Sequence, residues 1–156
     1  VQVAERVIEW MKKENPTATI IDTVGVGAGV YDQIVFRGYR DKLFQYSPTA
    51  AARNSAAYKN ARAEMWGRMR DWLAAGAEIP DDPELEADLT GPQYFFSAKE
   101  QIQLEQKEDM KKRGLSSPDC ADMLAQTFQV DVCAPTPQPE PEMYYPGERS
   151  LNWMGM

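Results

Sequence analysis

The sequence predicts an α/β fold in which parallel strands are joined by crossover helices. Three observations predict it. Between residues 1 and 47 an amphipathic helical pattern, a β-branched run, a glycine turn, a second helical stretch and a second short strand follow one another, and that alternation marks parallel strands with crossover helices. The 156 residues suit one domain with a real core. Hydrophobic residues at 43% and charged residues at 26% are values of a globular domain, not of a disordered chain.

Val3, Ala4, Val7, Ile8 and Met11 recur at helical spacing. Asn15-Pro16 closes that helix, because a residue before proline is pushed out of the α region. Residues 17–22 read as a strand, Gly25, Gly27 and Gly29 as a turn, residues 30–37 as a helix ended by Gly38, and residues 43–47 as a second strand. A long helix is expected over residues 55–75, with Tyr58, Ala61, Met65, Met69, Trp72 and Leu73 as its apolar stripe and Gly76 just beyond it. Residues 78–88 hold six acids, no base and two prolines, and read as an exposed acidic loop. Residues 94–97 and 101–105 are expected to pair as a hairpin. Ser117 reads as an N-cap and Pro118 as the first residue of a helix that turns Ala121, Leu124, Ala125 and Phe128 inward. Pro135, Pro137, Pro139 and Pro141 alternate with other residues beyond Cys133, so residues 1–133 are read as the domain and 134–156 as a Pro-rich flexible tail.

The inventory excludes much chemistry. There is no His, so no Ser-His-Asp triad, Cys-His pair or imidazole metal site. Cys120 and Cys133 make neither a zinc knuckle nor a disulfide framework, and a reduced, intracellular setting is expected. No P-loop motif occurs. No apolar run approaches the roughly 18 residues that span a bilayer, so no membrane partner is expected. Nothing reads as a signal peptide. Val1 falls inside a helical pattern, and the chain is expected to be processed or part of something longer.

The formal net charge of −7 argues at first against nucleic acid. The charge is unevenly spread, however. Arg53, Lys59, Arg62, Arg68 and Arg70 face only Glu64 in their stretch, and Lys107, Lys111, Lys112 and Arg113 cluster further on. Phosphate contacts need a basic patch, not a basic total. The first five are therefore candidate DNA contacts, with a solvated helix face as the plainer alternative. Trp66, Trp72, Tyr94 and Phe95 are read as core residues before stacking platforms.

Two features carry chemistry. Asp22 ends a strand before a glycine turn, where α/β folds place ligands. Asp119 and Asp122 lie three apart in the first turn of a helix, on one face and favoured by its dipole. If strand end and helix start converge, the three acids form an oxygen-only set suited to Mg²⁺ or Mn²⁺. The alternatives are a turn-forming Asp22 and plain first-turn acids. A dinucleotide fingerprint is disfavoured, because Val30 stands where its third glycine belongs.

Ile20-Ile21-Asp22-Thr23-Val24-Gly25-Val26-Gly27-Ala28-Gly29, Tyr58-Lys59-Asn60-Ala61-Arg62-Ala63-Glu64-Met65-Trp66 and Leu115-Ser116-Ser117-Pro118-Asp119-Cys120-Ala121-Asp122 resemble the C-terminal nuclease domain of bacteriophage large terminase subunits, in order over roughly residues 1–130. The resemblance implies a ribonuclease H-like fold that cuts concatemeric double-stranded DNA with two divalent ions, Mg²⁺ or Mn²⁺. It implies Asp22 and Asp122 as metal-binding acids and Asp119 as an auxiliary one. It also implies the cytoplasm of a bacterial host, and a portal or other packaging protein as partner of the tail. The family's fold begins with an antiparallel meander carrying a first metal-binding Asp, and its subunits carry an ATPase motor; neither is visible in this sequence. The expected fold is therefore partial, with an added hairpin and a tail. The isolated chain is expected to bind metal poorly and cleave little, and the strand ending at Asp22 is expected to offer a free edge for homo-oligomers. Two further readings stand beside it: an inactive prophage remnant that binds partners, and a nucleotide-binding domain using the glycine turn.

Overall fold

A computed structural model describes residues 1–132. Helix α1 (Gln2–Glu14) ends on Asn15, whose φ of 43° is left-handed and whose N–H returns to the Met11 carbonyl. Strand β1 (Thr19–Asp22) pairs in parallel with β2 (Leu43–Tyr46), in a register that sets Ile20 opposite Phe44 and Asp22 opposite Tyr46. Helix α2 (Val26–Phe36) is the crossover between them, as the alternation predicts. Among the described residues this sheet has two strands.

Alternation along the strands divides the core into two layers. Leu43 and Ile21 face α1 and α2, packing with Ala4, Ile8, Tyr31 and Ile34. Tyr46 and Ile20 face the opposite layer, built from α3 (Ala61–Ala74) and α6 (Asp119–Gln126) around Met65, Trp66, Met69, Ala121 and Ala125. Met65 and Met69 are almost wholly buried, so truncating either to Ala costs about 2–5 kcal/mol. Between these helices lie α4 (Pro83–Thr90), the antiparallel hairpin β3 (Tyr94–Phe96) and β4 (Ile102–Leu104), and α5 (Lys107–Lys112). A 3₁₀ turn, Thr127–Gln129, follows α6.

The structure corrects several expected bounds. Helix α3 starts at Ala61, not near 55, because Asn60 is extended and caps it by accepting from the Ala63 N–H at 3.0 Å. Tyr58 bridges to Ile102 instead of joining the helical stripe; its hydroxyl lies where a side chain at position 67 would stand, a space left by Gly67. Helix α2 starts at Val26, four residues earlier than expected. The acidic stretch contains α4, since Pro83 occupies the first turn and Asp82 caps the Glu84 and Leu85 N–H groups. Helix α6 starts at Asp119 with Pro118 as N-cap, one place later than Ser117 predicted. The hairpin is present, with Glu100 at φ 59° supplying the left-handed residue that glycine usually provides. Of the four aromatics read as core, Trp66 is buried, while Tyr94 and Phe95 are exposed and Trp72 is partly so. The tail, residues 134–156, lies outside the described residues.

Candidate active site

Asp22 shares the sheet face of Ile20 and Tyr46, the face that meets α3 and α6. Its backbone leaves the strand through a tight turn, in which the Val24 N–H donates to Asp22 Oδ1 at 2.9 Å. Gly25 adopts φ 66° and caps α2. Gly27 passes against the strand end: a Cβ there would stand 1.7 Å from the Asp22 carbonyl oxygen. These two glycines are structurally required, whereas a Cβ on Gly29 meets open space.

The other wall comes from α6. Pro118 cannot cap its N-terminus with a side chain, and the buried Asp88 of α4 serves instead, accepting from the Cys120 N–H at 2.9 Å. Asp122 then points from the first turn into a dense set of donors. Its Oδ1 accepts from Arg62 Nε at 2.9 Å and from Trp66 Nε1 at 2.8 Å, and its Oδ2 lies 3.0 Å from Lys107 Nζ. Arg62 and Trp66 are four apart on α3 and therefore share one face. Asp122 and Arg62 side chains are each only 13% exposed, so their charges are largely withdrawn from water and depend on one another. Lys107 also reaches the exposed Asp119, at 3.1 Å.

Asp22, Asp119 and Asp122 line one cleft of about 400 Å³, together with Tyr46, Arg62 and Lys107. Burial pushes the Tyr46 phenol well up, helped by the negative charges of Asp122 and Asp22 and opposed by Arg62. It therefore stays protonated at neutral pH. Burial pulls the Lys107 ammonium down, but the hydrogen bonds it donates to Asp122 and Asp119 outweigh it, and the net direction is up. A second, more apolar hollow of about 260 Å³ lies under Tyr58, Trp66 and Tyr94. Its lining holds no carboxylate.

The three acids predicted from sequence thus share a cleft, but the described residues contain no group of three acids close enough to hold one metal ion. Both oxygens of Asp122 already face cations or an indole N–H. The donor type suits a hard cation; the placement does not assemble a metal-holding set among the described residues. The five candidate DNA contacts are dispersed. Arg62 sits in the cleft; Arg53 and Arg68 grip Asp131 and the Gln129 and Phe128 carbonyls; Arg70 pairs with Asp71. Lys59 is exposed. Reading by charge missed the roles of Lys107, Trp66 and Tyr46. The i, i+4 spacing of Arg62 and Trp66 was a usable signal for one of them.

A two-stranded parallel layer between α1–α2 and α3–α6, with acids at the strand end and the helix start lining one cleft, is part of a ribonuclease H-like fold. Among solved structures it is similar to the nuclease domain of the large terminase subunit gp2 of bacterial virus Sf6. That match has 20% identity and a TM-score of 0.66, covering 83% of this chain and 72% of that one. A lysine-to-alanine variant of the same Sf6 domain, solved with manganese and β-thujaplicinol, matches at 19% identity and a TM-score of 0.66, over 83% and 72% of the two chains. The variant solved with calcium matches at 20% and 0.63, over 78% and 69%. The resemblance read from sequence is borne out as a shared fold. No family model matches the sequence, and no curated protein does.

Proposed function

We propose that the cleft is the cutting site of a terminase nuclease domain, acting on concatemeric double-stranded DNA during phage packaging. One observation carries this reading: Asp22 at a strand end and Asp122 on a distant helix line one cleft, on the fold of a terminase nuclease domain. The cation proposed for it is Mg²⁺ or Mn²⁺, in keeping with the manganese and calcium of the Sf6 structures. Asp22 and Asp122 supply part of its oxygen shell, and Asp119 is an auxiliary acid. No step through a metal follows from these residues alone, because the set is incomplete. What the chain's own groups do is definite. Arg62 and Trp66 fix the direction of Asp122, Lys107 neutralises Asp122 and Asp119, and the protonated Tyr46 lines the cleft beside them.

Lys107 stands where a cation would be drawn, so the two compete for the same carboxylate oxygens. Titration calorimetry tests this. The chain as it stands binds Mn²⁺ weakly, and Lys107→Ala tightens binding by about tenfold, an expected gain on the order of 1.4 kcal/mol. Equal or weaker binding by Lys107→Ala would sink the competition. Lys59 and the partly exposed Arg53, Arg68 and Arg70 form the proposed outer contacts to DNA. Substituting one of them lowers the salt dependence of DNA affinity by about one unit.

A second reading is favoured by the incomplete acid set and by the sheet itself: an inactive prophage remnant serving as a binding module. Thr19 and Thr23 donate to the Lys42 and Tyr46 carbonyls, so by strand alternation the main chain of Ile20 faces the other edge of β1, free among the described residues. A homo-oligomer through that edge is proposed, and a monomer by light scattering at high concentration would count against it. The host cytoplasm as the site of action, and a portal partner for residues 134–156, belong to the terminase proposal. Among the described residues no helix is long and apolar enough to cross a membrane.

A further inference from the structure

We infer that Glu105 and Arg113 are positioning residues for this cleft: an ion pair on a buried carboxylate, lining no part of the cleft, aims Arg62 and Lys107 at Asp122. Lys107 is the first residue of α5, a helix of six residues. So short a helix does not hold itself together, since a single turn is repaid by few hydrogen bonds. Two features hold it. Met110 is buried at 1% exposure, and the residues flanking the helix join across its length. Arg113 Nε lies 2.8 Å from Glu105 Oε1 and its Nη2 2.5 Å from Oε2, a two-pronged pair. Glu105 is 3% exposed, so this carboxylate depends on its partners.

The pair also ties α5 to its surroundings. Glu105 Oε2 accepts from the Gln93 N–H, its own N–H donates to the Gln93 carbonyl, and Arg113 Nη2 donates to the Gly91 carbonyl. From this fixed point two lines reach Asp122. The main-chain oxygen of Glu105 accepts from Arg62 Nη1 at 3.0 Å, orienting the guanidinium whose Nε holds Asp122. Two residues further along the chain, the backbone that Glu105 anchors places Lys107 Nζ on the other Asp122 oxygen. The proposal deepens the nuclease reading and rests on it for its meaning. Its test needs neither metal nor DNA, so either can fail alone.

The reporter is the indole N–H of Trp66, which donates to Asp122. In the ¹⁵N-labelled chain, assigned with Trp66→Phe, that resonance should lie downfield. Glu105→Gln should shift it upfield and lower the melting temperature. The double variant Glu105→Gln with Arg113→Met removes both charges of the pair, the buried carboxylate and its more exposed guanidinium, so stability should recover in part, since a neutral pair leaves no unmatched charge. The Trp66 resonance should nevertheless stay displaced, because the fork that clamps α5 is gone. A Trp66 resonance that does not move in Glu105→Gln, or that returns together with stability in the double variant, would overturn the proposal.

Discussion

The two walls of the cleft are built in opposite ways. Asp22 sits at a half-exposed strand end, and the one side-chain hydrogen bond it makes among the described residues serves its own turn. Asp122 is withdrawn from water and gripped by Arg62, Trp66 and Lys107. One carboxylate is accessible to whatever enters; the other is fixed in advance by neighbours that also offset its charge. A site made this way has its geometry set by the helices and its more accessible carboxylate at the strand.

The largest effect should come from the gripped wall. Asp122→Ala leaves Arg62 buried without its counter-charge and should cost about 3–5 kcal/mol in urea unfolding. Asp22→Ala loses one turn hydrogen bond and should cost about 1 kcal/mol. Equal losses would break the contrast. The next effect tests how tightly the strand end is packed. Gly27→Ala must push its Cβ away from the Asp22 carbonyl and should destabilise by about 1–3 kcal/mol. Gly29→Ala, in open space within α2, should stabilise by about 0.5–1 kcal/mol.

Acid sharpens the comparison further. The Arg113 hydrogen bond holds the Glu105 carboxyl below the ordinary glutamate value of 4.5. A lowered folded pKa gives stability that is present above the unfolded value and lost as pH falls through the folded one. Unfolding midpoints should therefore fall below pH 4.5 more steeply in the wild type than in Glu105→Gln. Parallel curves would remove Glu105 from the acid response.

Much of this was legible because it is local. The apolar repeats of α1 and α6, the β-branched run of β1 and the acid before the glycine turn each announce themselves within a few residues. The start of α3 was not legible. Tyr58 continues the helical stripe by pattern, yet its bridge to Ile102 across the fold pulls residues 57–59 out of the helix. Likewise a basic run gives no sign that Lys107 will fold back onto Asp119 and Asp122, or that Glu105 and Arg113 will close across α5. Those are tertiary pairings, and charge counts see only the sum. The −7 of the whole chain is compatible with a cleft in which Arg62 and Lys107 meet the carboxylates.

The central claim is that Asp22 and Asp122 together form a DNA-cutting site. It is tested most directly by plasmid cleavage in Mn²⁺, using a protein that includes this domain together with its Asp22→Ala and Asp122→Ala variants. DNA retention by both variants with cleavage lost in each is the predicted result. Cleavage that survives either substitution would contradict it.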